Sequence, residues 1–349
     1  MSRAEPAALR MPAEWEPHEA TWIGWPHERT DWPGKFAPIR WVYAEIVRHL
    51  APHEKVRILV QNRDHAEQAR RTLEKAGAMA PSVEFFVCRT NRGWLRDSGP
   101  IFVLDRAGRV SITNWKFNAW ARYSDWRLDD RVPDFISRKL GIRQVKTGVV
   151  LEGGAIDVNG RGTALATEEC LLSSVQARNP GFSRRDWEAV LNRFLGVRRV
   201  VWLGRGIAGD DTHGHVDDVA RFTSPDTVIA AVERDRSDPN YEPLRENFGR
   251  LQRAAAAGGR PLRVVPLPMP EPVCFKGRRL PASYANFYVA NSTVLVPVFN
   301  DPNDRRALNV LARCFPDRRV AGIYSRDLVL GLGAIHCLTQ QQPAGRPAR

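Results

Sequence analysis

The chain has 349 residues, a formal net charge of +13 and a hydrophobic content of 43%. These values are typical of a soluble globular protein, and no apolar stretch approaches the ~20 residues that cross a bilayer. The basic residues are scattered, without a basic run, which favours solubility over nucleic-acid binding, and the opening residues lack the apolar segment of a secretory signal, so we expect a cytoplasmic protein.

In chain order, helical and strand-like segments alternate. Apolar residues at three- and four-residue steps predict helices over 37–50, 64–76, 131–140, 184–195, 241–257 and 304–314. Short β-rich segments at 56–60, 83–87, 148–151, 200–203, 262–267 and 320–324 predict strands. The order predicts an α/β protein.

A strand–turn–strand–helix unit recurs along the chain, about every 50–65 residues. The recurrence indicates several similar modules, although an ordinary α/β fold would also alternate strands and helices. No flexible or charged linker marks a boundary. We therefore predict one catalytic domain over residues 1–342 and a disordered tail over 343–349.

Four polar turns follow predicted strands, and each combines glycine with an acid, a histidine or a cysteine. Glycine lets backbone approach a ligand closely, and polar groups aimed from loops often build active sites. One such turn would be weak evidence, but four of complementary chemistry indicate a site. They are NRGWLRDSGP with Asp97, VLEGGAIDV with Glu152, GDDTHGHVDD with His213, His215 and Asp217, and LGLGAIHCLTQQ with Cys337.

The H-G-H-V-D segment allows a metal interpretation. Two imidazoles two residues apart would share one strand face, and with Asp217 they could ligate Zn²⁺ or Mn²⁺. The other histidines form no recognisable metal motif, however, and this interpretation leaves the cysteine and the E-G-G turn unexplained. A metal-dependent hydrolase on His213, His215 and Asp217 remains an alternative.

The five cysteines include no C-x-x-C pair, so neither a disulfide framework nor a zinc ribbon is expected. One thiol, Cys337, can be a nucleophile if His215 serves as acid/base and Glu152 orients that histidine. Asp97 and Asp217 would then be left over. Two carboxylates beside a thiol suit a planar cation that is rich in N–H donors. The residues therefore favour thiol attack on a guanidinium carbon. A non-catalytic protein that binds nucleic acid through its positive charge remains an alternative.

The chain resembles the agmatine deiminase family, which includes bacterial peptidylarginine deiminases, in segments spread from Met11 to Gln341. They include WLRDSGPIFV, FNAW, VLEGGAIDVNG, THGHVDD, PASYANFYVAN and GAIHCLTQQ. The resemblance implies a five-bladed α/β propeller of pseudo-fivefold ββαβ modules, which is a single domain. It also implies deimination of a guanidine, with agmatine as the leading substrate and peptidyl-arginine as an alternative.

By motif, the resemblance makes Cys337 the nucleophile, His215 the acid/base and Glu152 its support, while Asp97 and Asp217 grip the guanidinium. It implies no metal or organic cofactor, a small-molecule partner, no use of nucleic acid or membrane, and a homodimer. Further substrate-binding candidates are Trp94 and Trp120, which could line the aliphatic part of the substrate, together with Arg96 and His213.

Three positions depart from the family pattern. His213 stands where an Asp is often found, Ala334 where an Asn is expected, and Ala121-Arg122-Tyr123 replace a Gly-rich continuation after FNAW. None is among the five central residues. Because agmatine carries a distal ammonium, a lost carboxylate and an added arginine weaken the assignment of agmatine more than that of the reaction.

Overall fold

The computed structural model describes residues 9–348, which form nineteen strands and nine α-helices. The strands are β1 (His18–Gly24), β2 (Lys55–Val60), β3 (Val83–Val87), β4 (Ile101–Leu104), β5 (Arg109–Lys116), β6 (Gln144–Val150), β7 (Ile156–Val158), β8 (Thr163–Thr167), β9 (Arg199–Leu203), β10 (Ala220–Ser224), β11 (Thr227–Val232), β12 (Arg263–Pro268), β13 (Cys274–Phe275), β14 (Arg278–Arg279), β15 (Tyr288–Val289), β16 (Thr293–Val298), β17 (Arg319–Tyr324), β18 (Thr339–Pro343) and β19 (Arg346–Pro347). The helices are α1 (Phe36–Leu50), α2 (Arg63–Lys75), α3 (Leu95–Ser98), α4 (Val132–Leu140), α5 (Glu168–Leu172), α6 (Arg184–Leu195), α7 (Tyr241–Gln252), α8 (Asp304–Cys314) and α9 (Ile335–Leu338).

One strand pattern is repeated in five sheets. In each sheet an antiparallel pair is followed by a parallel third strand, in the orders β18–β1–β2, β4–β5–β6, β7–β8–β9, β10–β11–β12 and β15–β16–β17. Between the second and third strands of each sheet the chain passes through at least one helix, as a parallel connection requires. The recurring unit predicted from the sequence is therefore present, in a single mixed α/β domain.

The longest helix, α1, buries one apolar stripe against the sheets. In α1 the stripe consists of Ile39, Tyr43, Ile46, Val47 and Leu50, all at most 1% exposed. The spacing of three and four residues places them on one helix face. Burying each large apolar side chain stabilises the fold by roughly 1.5–3 kcal/mol. Tertiary packing of this face thus determines the orientation of the helix.

The predicted elements agree with the structure except at ends and turns. The helix predicted over 241–257 ends at Gln252, because residues 254–260 form a tight loop in which Ala256 N–H donates to the carbonyl of Arg260. No helix among residues 9–348 is long and apolar enough to cross a membrane.

The carboxyl-terminal tail corrects the prediction of disorder over 343–349. Pro343 ends β18, and Arg346–Pro347 form β19, which pairs in parallel with β5. Ala348 N–H donates to the carbonyl of Val110, and the Ala348 carbonyl accepts from Arg143. These backbone bonds offset the ordering entropy that glycine- and proline-rich composition alone cannot overcome. Arg349 lies outside the described residues.

Candidate active site

The predicted site residues come from connections that link one three-stranded unit to the next. Asp97 lies in α3 between β3 and β4, Glu152 between β6 and β7, and His215 and Asp217 between β9 and β10. Cys337 lies in α9 between β17 and β18. The remaining connection, before β15, supplies Asn286, whose side-chain amide donates to Cys337 Sγ at 3.1 Å. All five inter-unit connections therefore contribute to one place.

Gly154 marks the centre of this convergence. A Cβ at this position would lie 2.6 Å from His215 Nδ1, 2.9 Å from Asp97 Oδ1 and 3.0 Å from Asp217 Oδ2. The second glycine of the E-G-G turn is therefore needed because these three side chains meet beside it. Gly154 N–H also donates to Asp97 Oδ1 at 2.9 Å, which fixes that carboxylate.

Asp97 is held on its other side by Trp120. The indole Nε1 donates to Asp97 Oδ2 at 2.9 Å. Ala119, Trp120 and Ala121 all adopt left-handed backbone, with φ of 50°, 59° and 51°. Such residues cost of order 1 kcal/mol each, and the position of Ala121 is one that favours glycine. The strained turn after FNAW therefore aims Trp120 at Asp97 without the glycines that the family pattern led us to expect.

Glu152 is bound between a buried arginine and the histidine. Its Oε1 accepts from Arg178 Nε at 3.0 Å, and its Oε2 lies 3.7 Å from His215 Nε2. Although burial opposes ionisation, Arg178 and His215 lower the pKa of Glu152 to about 2. Arg178 also donates to the carbonyls of Gln176 and Thr212, so its position is fixed by three partners. Our sequence reasoning missed it.

The H-G-H-V-D segment does not form the strand that we expected. His213 and Gly214 have φ of +66° and +90°, and Val216–Asp218 form a 3-10 helix. The ring of His213 hydrogen-bonds Ser173 Oγ at 3.1 Å, in a depression separate from Cys337, whereas His215 and Asp217 are buried near it. Left-handed backbone at two successive residues sends the two histidines to different places.

This geometry corrects both assignments of His213. Among residues 9–348, the only three groups whose ligand atoms lie within 4.8 Å of one another are Glu152, Cys170 and His215. His213, His215 and Asp217 thus do not converge as the metal hypothesis required. His213 also does not line the cavity at Cys337, so it is not placed to bind a substrate there.

Asp217 is positioned by a second histidine that sequence reasoning left unused. His336 Nδ1 lies 2.6 Å from Asp217 Oδ2, and its Nε2 lies 2.8 Å from Glu14 Oε2. Glu14 also meets the buried guanidinium groups of Arg96 and Arg221. Because His336 precedes Cys337 directly, the I-H-C motif encodes both the thiol and the support of the carboxylate facing it.

Arg96 lies behind the site and does not line the cavity. It is 2% exposed and donates to the His336 carbonyl, to Gln341 and to Glu14. Its prediction as a substrate-binding residue is therefore wrong, because its guanidinium donates to groups inside the protein and not into the cavity. Arg96 instead ties α3, which carries Asp97, to α9, which carries Cys337.

Cys337 Sγ lies 3.9 Å from Asp217 Oδ2 and 3.1 Å from Asn286 Nδ2. Burial raises the pKa of this thiol well above its ordinary range, and the carboxylates of Asp217, Asp218 and Asp97 raise it further. Burial lowers the pKa of His215, but Asp97 together with contacts to Cys170 and Glu152 raises it well above its ordinary value. The directions of these pKa shifts favour a neutral thiol and a protonated imidazole in the free enzyme.

Several buried polar atoms around this centre have no hydrogen-bond partner within residues 9–348. They are Glu152 Oε2, both ring nitrogens of His215, and Asp217 Oδ1. Buried polar groups are normally paired, and leaving one unpaired costs about 1–3 kcal/mol. The two unpaired carboxylate oxygens, on Glu152 and Asp217, suit a ligand that donates several hydrogen bonds.

A cavity of about 500 Å³ opens above Cys337 and Asp97. Trp94 and Trp120 line it, and Trp94 Nε1 donates to Asp31 Oδ2 at 3.1 Å. At the entrance the lining changes to partly exposed or exposed residues, namely Arg92, Tyr123, Asp211, Lys276 and Arg278.

The other two departures from the family pattern have different surroundings. Arg122 is exposed, with its Nε 3.6 Å from Asp211 Oδ2, so it neutralises a carboxylate at the entrance. Ala334 is buried at the start of α9, three residues before Cys337. Of the three departures, only Arg122 changes the charge beside the entrance.

Comparison with known proteins agrees with this arrangement. A curated agmatine deiminase from Stutzerimonas stutzeri (strain A1501) is 38% identical over 359 residues, which cover 96% of this chain and 95% of the relative. The solved agmatine deiminase of Enterococcus faecalis is 34% identical, with a TM-score of 0.90 over 96% of each chain. An amidinotransferase from Microseira wollei, 10% identical with a TM-score of 0.56 over 98% of this chain and 99% of its own, shares the fold alone.

The fold is thus that of the α/β enzymes that modify guanidino groups. The family described as Porphyromonas-type peptidyl-arginine deiminase matches residues 10–343. The chain belongs to this family.

Proposed function

We propose that the protein hydrolyses the guanidino group of a small molecule to a ureido group and ammonia, with agmatine as the leading substrate and N-carbamoylputrescine as its product. The observation that carries this proposal is the convergence of a thiol, an imidazole and carboxylates from four inter-unit connections, with the Asn286 amide from the fifth. Relatives named agmatine deiminase support the substrate.

Asp97 and Asp217 hold the guanidinium in this proposal. Asp97 is fixed through both oxygens, by Gly154 and Trp120, and Asp217 is fixed through one oxygen, by His336. Asp217 Oδ1 has no partner within residues 9–348 and can accept from the substrate. Carboxylate–guanidinium pairs are strong, directional and often bidentate. They would keep the planar cation beside Cys337 Sγ.

Binding of the cation also activates the thiol. The negative charges that raise the pKa of Cys337 are compensated once a guanidinium lies between them, so the thiol releases its proton to solvent more readily. The thiolate then bonds to the guanidinium carbon. The protonated His215 transfers its proton to the departing nitrogen, which leaves as ammonia, and a thiouronium cation remains on Cys337.

The second half returns the enzyme to its starting state. Neutral His215 takes a proton from a water molecule, whose oxygen bonds to the thiouronium carbon. The tetrahedral adduct expels Cys337, whose thiolate takes up the hydroxyl proton of the adduct and becomes a neutral thiol again. The ureido product leaves, and the ammonia released earlier takes up the proton that the thiol gave to solvent. Glu152, held ionised by Arg178, stabilises each protonated state of His215.

We also propose that the five units close into a five-bladed propeller. Its support is the repeated strand pattern together with the pairing of β18, near the carboxyl end, with β1. A homodimer, a cytoplasmic location and the absence of a cofactor or nucleic-acid partner remain predictions. Light scattering tests the homodimer. Activity in the presence of EDTA tests the absence of a metal cofactor, and activity after nuclease treatment tests the absence of a nucleic-acid partner.

The experiment that tests the proposed reaction is a screen of free guanidines for ureido product and ammonia. Agmatine, arginine, arginyl peptides and shorter guanidino acids are compared for the wild type and for Cys337→Ala. Arginyl peptides are included because the family description names peptidyl-arginine, which is the second candidate substrate. We expect turnover of agmatine that Cys337→Ala abolishes while circular dichroism is unchanged. Turnover that survives in Cys337→Ala would overturn the proposal.

A further inference from the structure

The mechanism above leaves two buried thiols unused, Cys88 and Cys170. Cys170 lies in α5, is 1% exposed, and its backbone N–H donates to Thr167 Oγ1 at 3.1 Å. This cap fixes the start of α5 and with it the cysteine. Its sulfur, a ring nitrogen of His215 and a carboxylate oxygen of Glu152 all lie within 4.8 Å of one another.

The three groups have the chemistry and spacing of a zinc site. In a tetrahedral zinc centre with ligand bonds of about 2.0–2.3 Å, neighbouring ligand atoms lie about 3.5 Å apart. His215 Nε2 and Glu152 Oε2 are already 3.7 Å apart. A shift of about 1 Å in the thiol would therefore complete three ligands.

Two independent features indicate that this cluster can accept a ligand. Glu152 Oε2 and His215 Nε2 are buried and have no hydrogen-bond partner in residues 9–348. The opposite oxygen of Glu152 is held by Arg178, in the way that ligating carboxylates are oriented by a hydrogen-bonding neighbour. The other buried thiol, Cys88, belongs to no such group among the described residues.

We propose that Glu152, Cys170 and His215 form a binding site for zinc, and that zinc at this site inhibits the enzyme. Zinc coordinates a thiolate and a neutral imidazole, so its binding displaces protons to solvent. His215 then has no proton to give to the leaving ammonia. The inhibition rests on the proposed function, whereas metal binding does not.

The route to the site predicts slow inhibition. The cluster does not line the cavity, but Asp97, which does, has its Oδ2 3.8 Å from His215 Nδ1. Zinc must therefore pass one layer of side chains to reach Cys170. We expect inhibition that develops with time, is reversed by EDTA and is not reproduced by Mg²⁺, which disfavours thiolate ligands.

The first test detects metal binding at the site without measuring enzyme activity. Co²⁺ is titrated into Cys337→Ser, which cannot bind metal through the proposed nucleophile. We expect one equivalent to bind with tetrahedral visible bands and a thiolate-to-cobalt charge-transfer band. Both bands should be absent from the double variant Cys337→Ser/Cys170→Ser and present in the double variant Cys337→Ser/Cys88→Ser. Absence of the bands in Cys337→Ser, or their survival after Cys170→Ser, would overturn the proposal.

The second test reads inhibition as the ratio of each variant's rate with and without zinc. We expect Cys170→Ser to require at least about tenfold more zinc than the wild type or Cys88→Ser for half inhibition. Equal sensitivity of Cys170→Ser and the wild type would place inhibitory zinc elsewhere and contradict the proposal. If Cys170→Ser misfolds, Cys170→Ala replaces it. An inactive wild type with intact cobalt bands would refute only the proposed function.

Discussion

The floor and the mouth of the cavity differ in how their charges are held. What we call the floor is the buried group of residues at and beneath the base of the cavity. Asp97 and Cys337 line the cavity, Glu152, His215 and Asp217 lie beneath them, and none of the five is more than 7% exposed. The mouth consists of Arg92, Tyr123, Asp211, Lys276 and Arg278, which are partly or fully exposed. Charges act strongly at low dielectric and weakly where water screens them. The floor therefore determines the reaction, and the mouth adjusts which substrate reaches it.

The largest expected effect comes from removing a floor charge. Asp217→Asn removes a guanidinium acceptor and leaves His336 with a weaker partner, so kcat/KM falls by about 10²- to 10³-fold, mainly through KM. Steady-state kinetics measure the loss. The exposed Asp235→Asn is the matched control and should change nothing. If kcat/KM of Asp217→Asn fell by less than about threefold, the buried charges of the floor would act no more strongly than the exposed charges of the mouth.

The protonation of Cys337 gives the next largest effect. Burial and three nearby aspartates raise the pKa of the thiol, so at neutral pH the unreactive protonated form dominates. Inactivation of the free enzyme by iodoacetamide should be slow at pH 7 and accelerate about tenfold per pH unit up to pH 9.

The assignment of this reactivity to Cys337 requires a control. Cys337→Ser should remove the pH-dependent modification, which peptide mapping follows. A rate that is already maximal at pH 7 would mean that the thiol is ionised without substrate. Activation of the nucleophile by the bound cation would then be contradicted.

A smaller effect is expected for Trp120→Phe. The change keeps the aromatic wall but removes the 2.9 Å hydrogen bond to Asp97. Hydrogen bonds to charged groups contribute about 1.5–3 kcal/mol, so kcat/KM should fall by about tenfold or somewhat more. Trp41→Phe, on an exposed residue, is the control. Equal activity of the two variants would show that the hydrogen bond from Trp120 is not required to position Asp97.

The smallest effect concerns the mouth. Lys276 lies exposed on the β13–β14 turn and forms no ion pair within residues 9–348. Agmatine is a dication, so Lys276→Ala should raise its kcat/KM about two- to threefold at low salt, and the gain should vanish at high salt. Lys139→Ala, on α4, controls for net charge. A large decrease in kcat/KM instead would mean that Lys276 binds an anionic group of the substrate.

The floor was predictable because its residues sit in short, chemically distinctive turns. Glu152 with two glycines, and Cys337 after a histidine, indicate their roles through residue type alone. Asn286, Arg178 and Glu14 escaped because each is distant in sequence and common in ordinary loops. A search for one polar residue in every inter-unit connection would have found Asn286, since PASYANFYVAN fills the connection that our reasoning left without a role.

The backbone explains what the motifs did not. His213 and His215 look equivalent in sequence, but the positive φ of His213 and of Gly214 turns the chain, so the two side chains point to different places. Such conformations depend on tertiary contacts, here the acceptance by Asp210 of N–H groups from Gly214 and His215. The tail was misjudged for a similar reason, because its pairing with β5 is a long-range interaction that composition does not encode.

The most direct test of the account is mass spectrometry of the enzyme quenched with acid during turnover of agmatine. The account predicts a peptide containing Cys337 whose mass is increased by that of agmatine less ammonia, and which disappears when substrate is exhausted. An enzyme that turns over agmatine without any adduct on Cys337, or with the adduct on another residue, would contradict it.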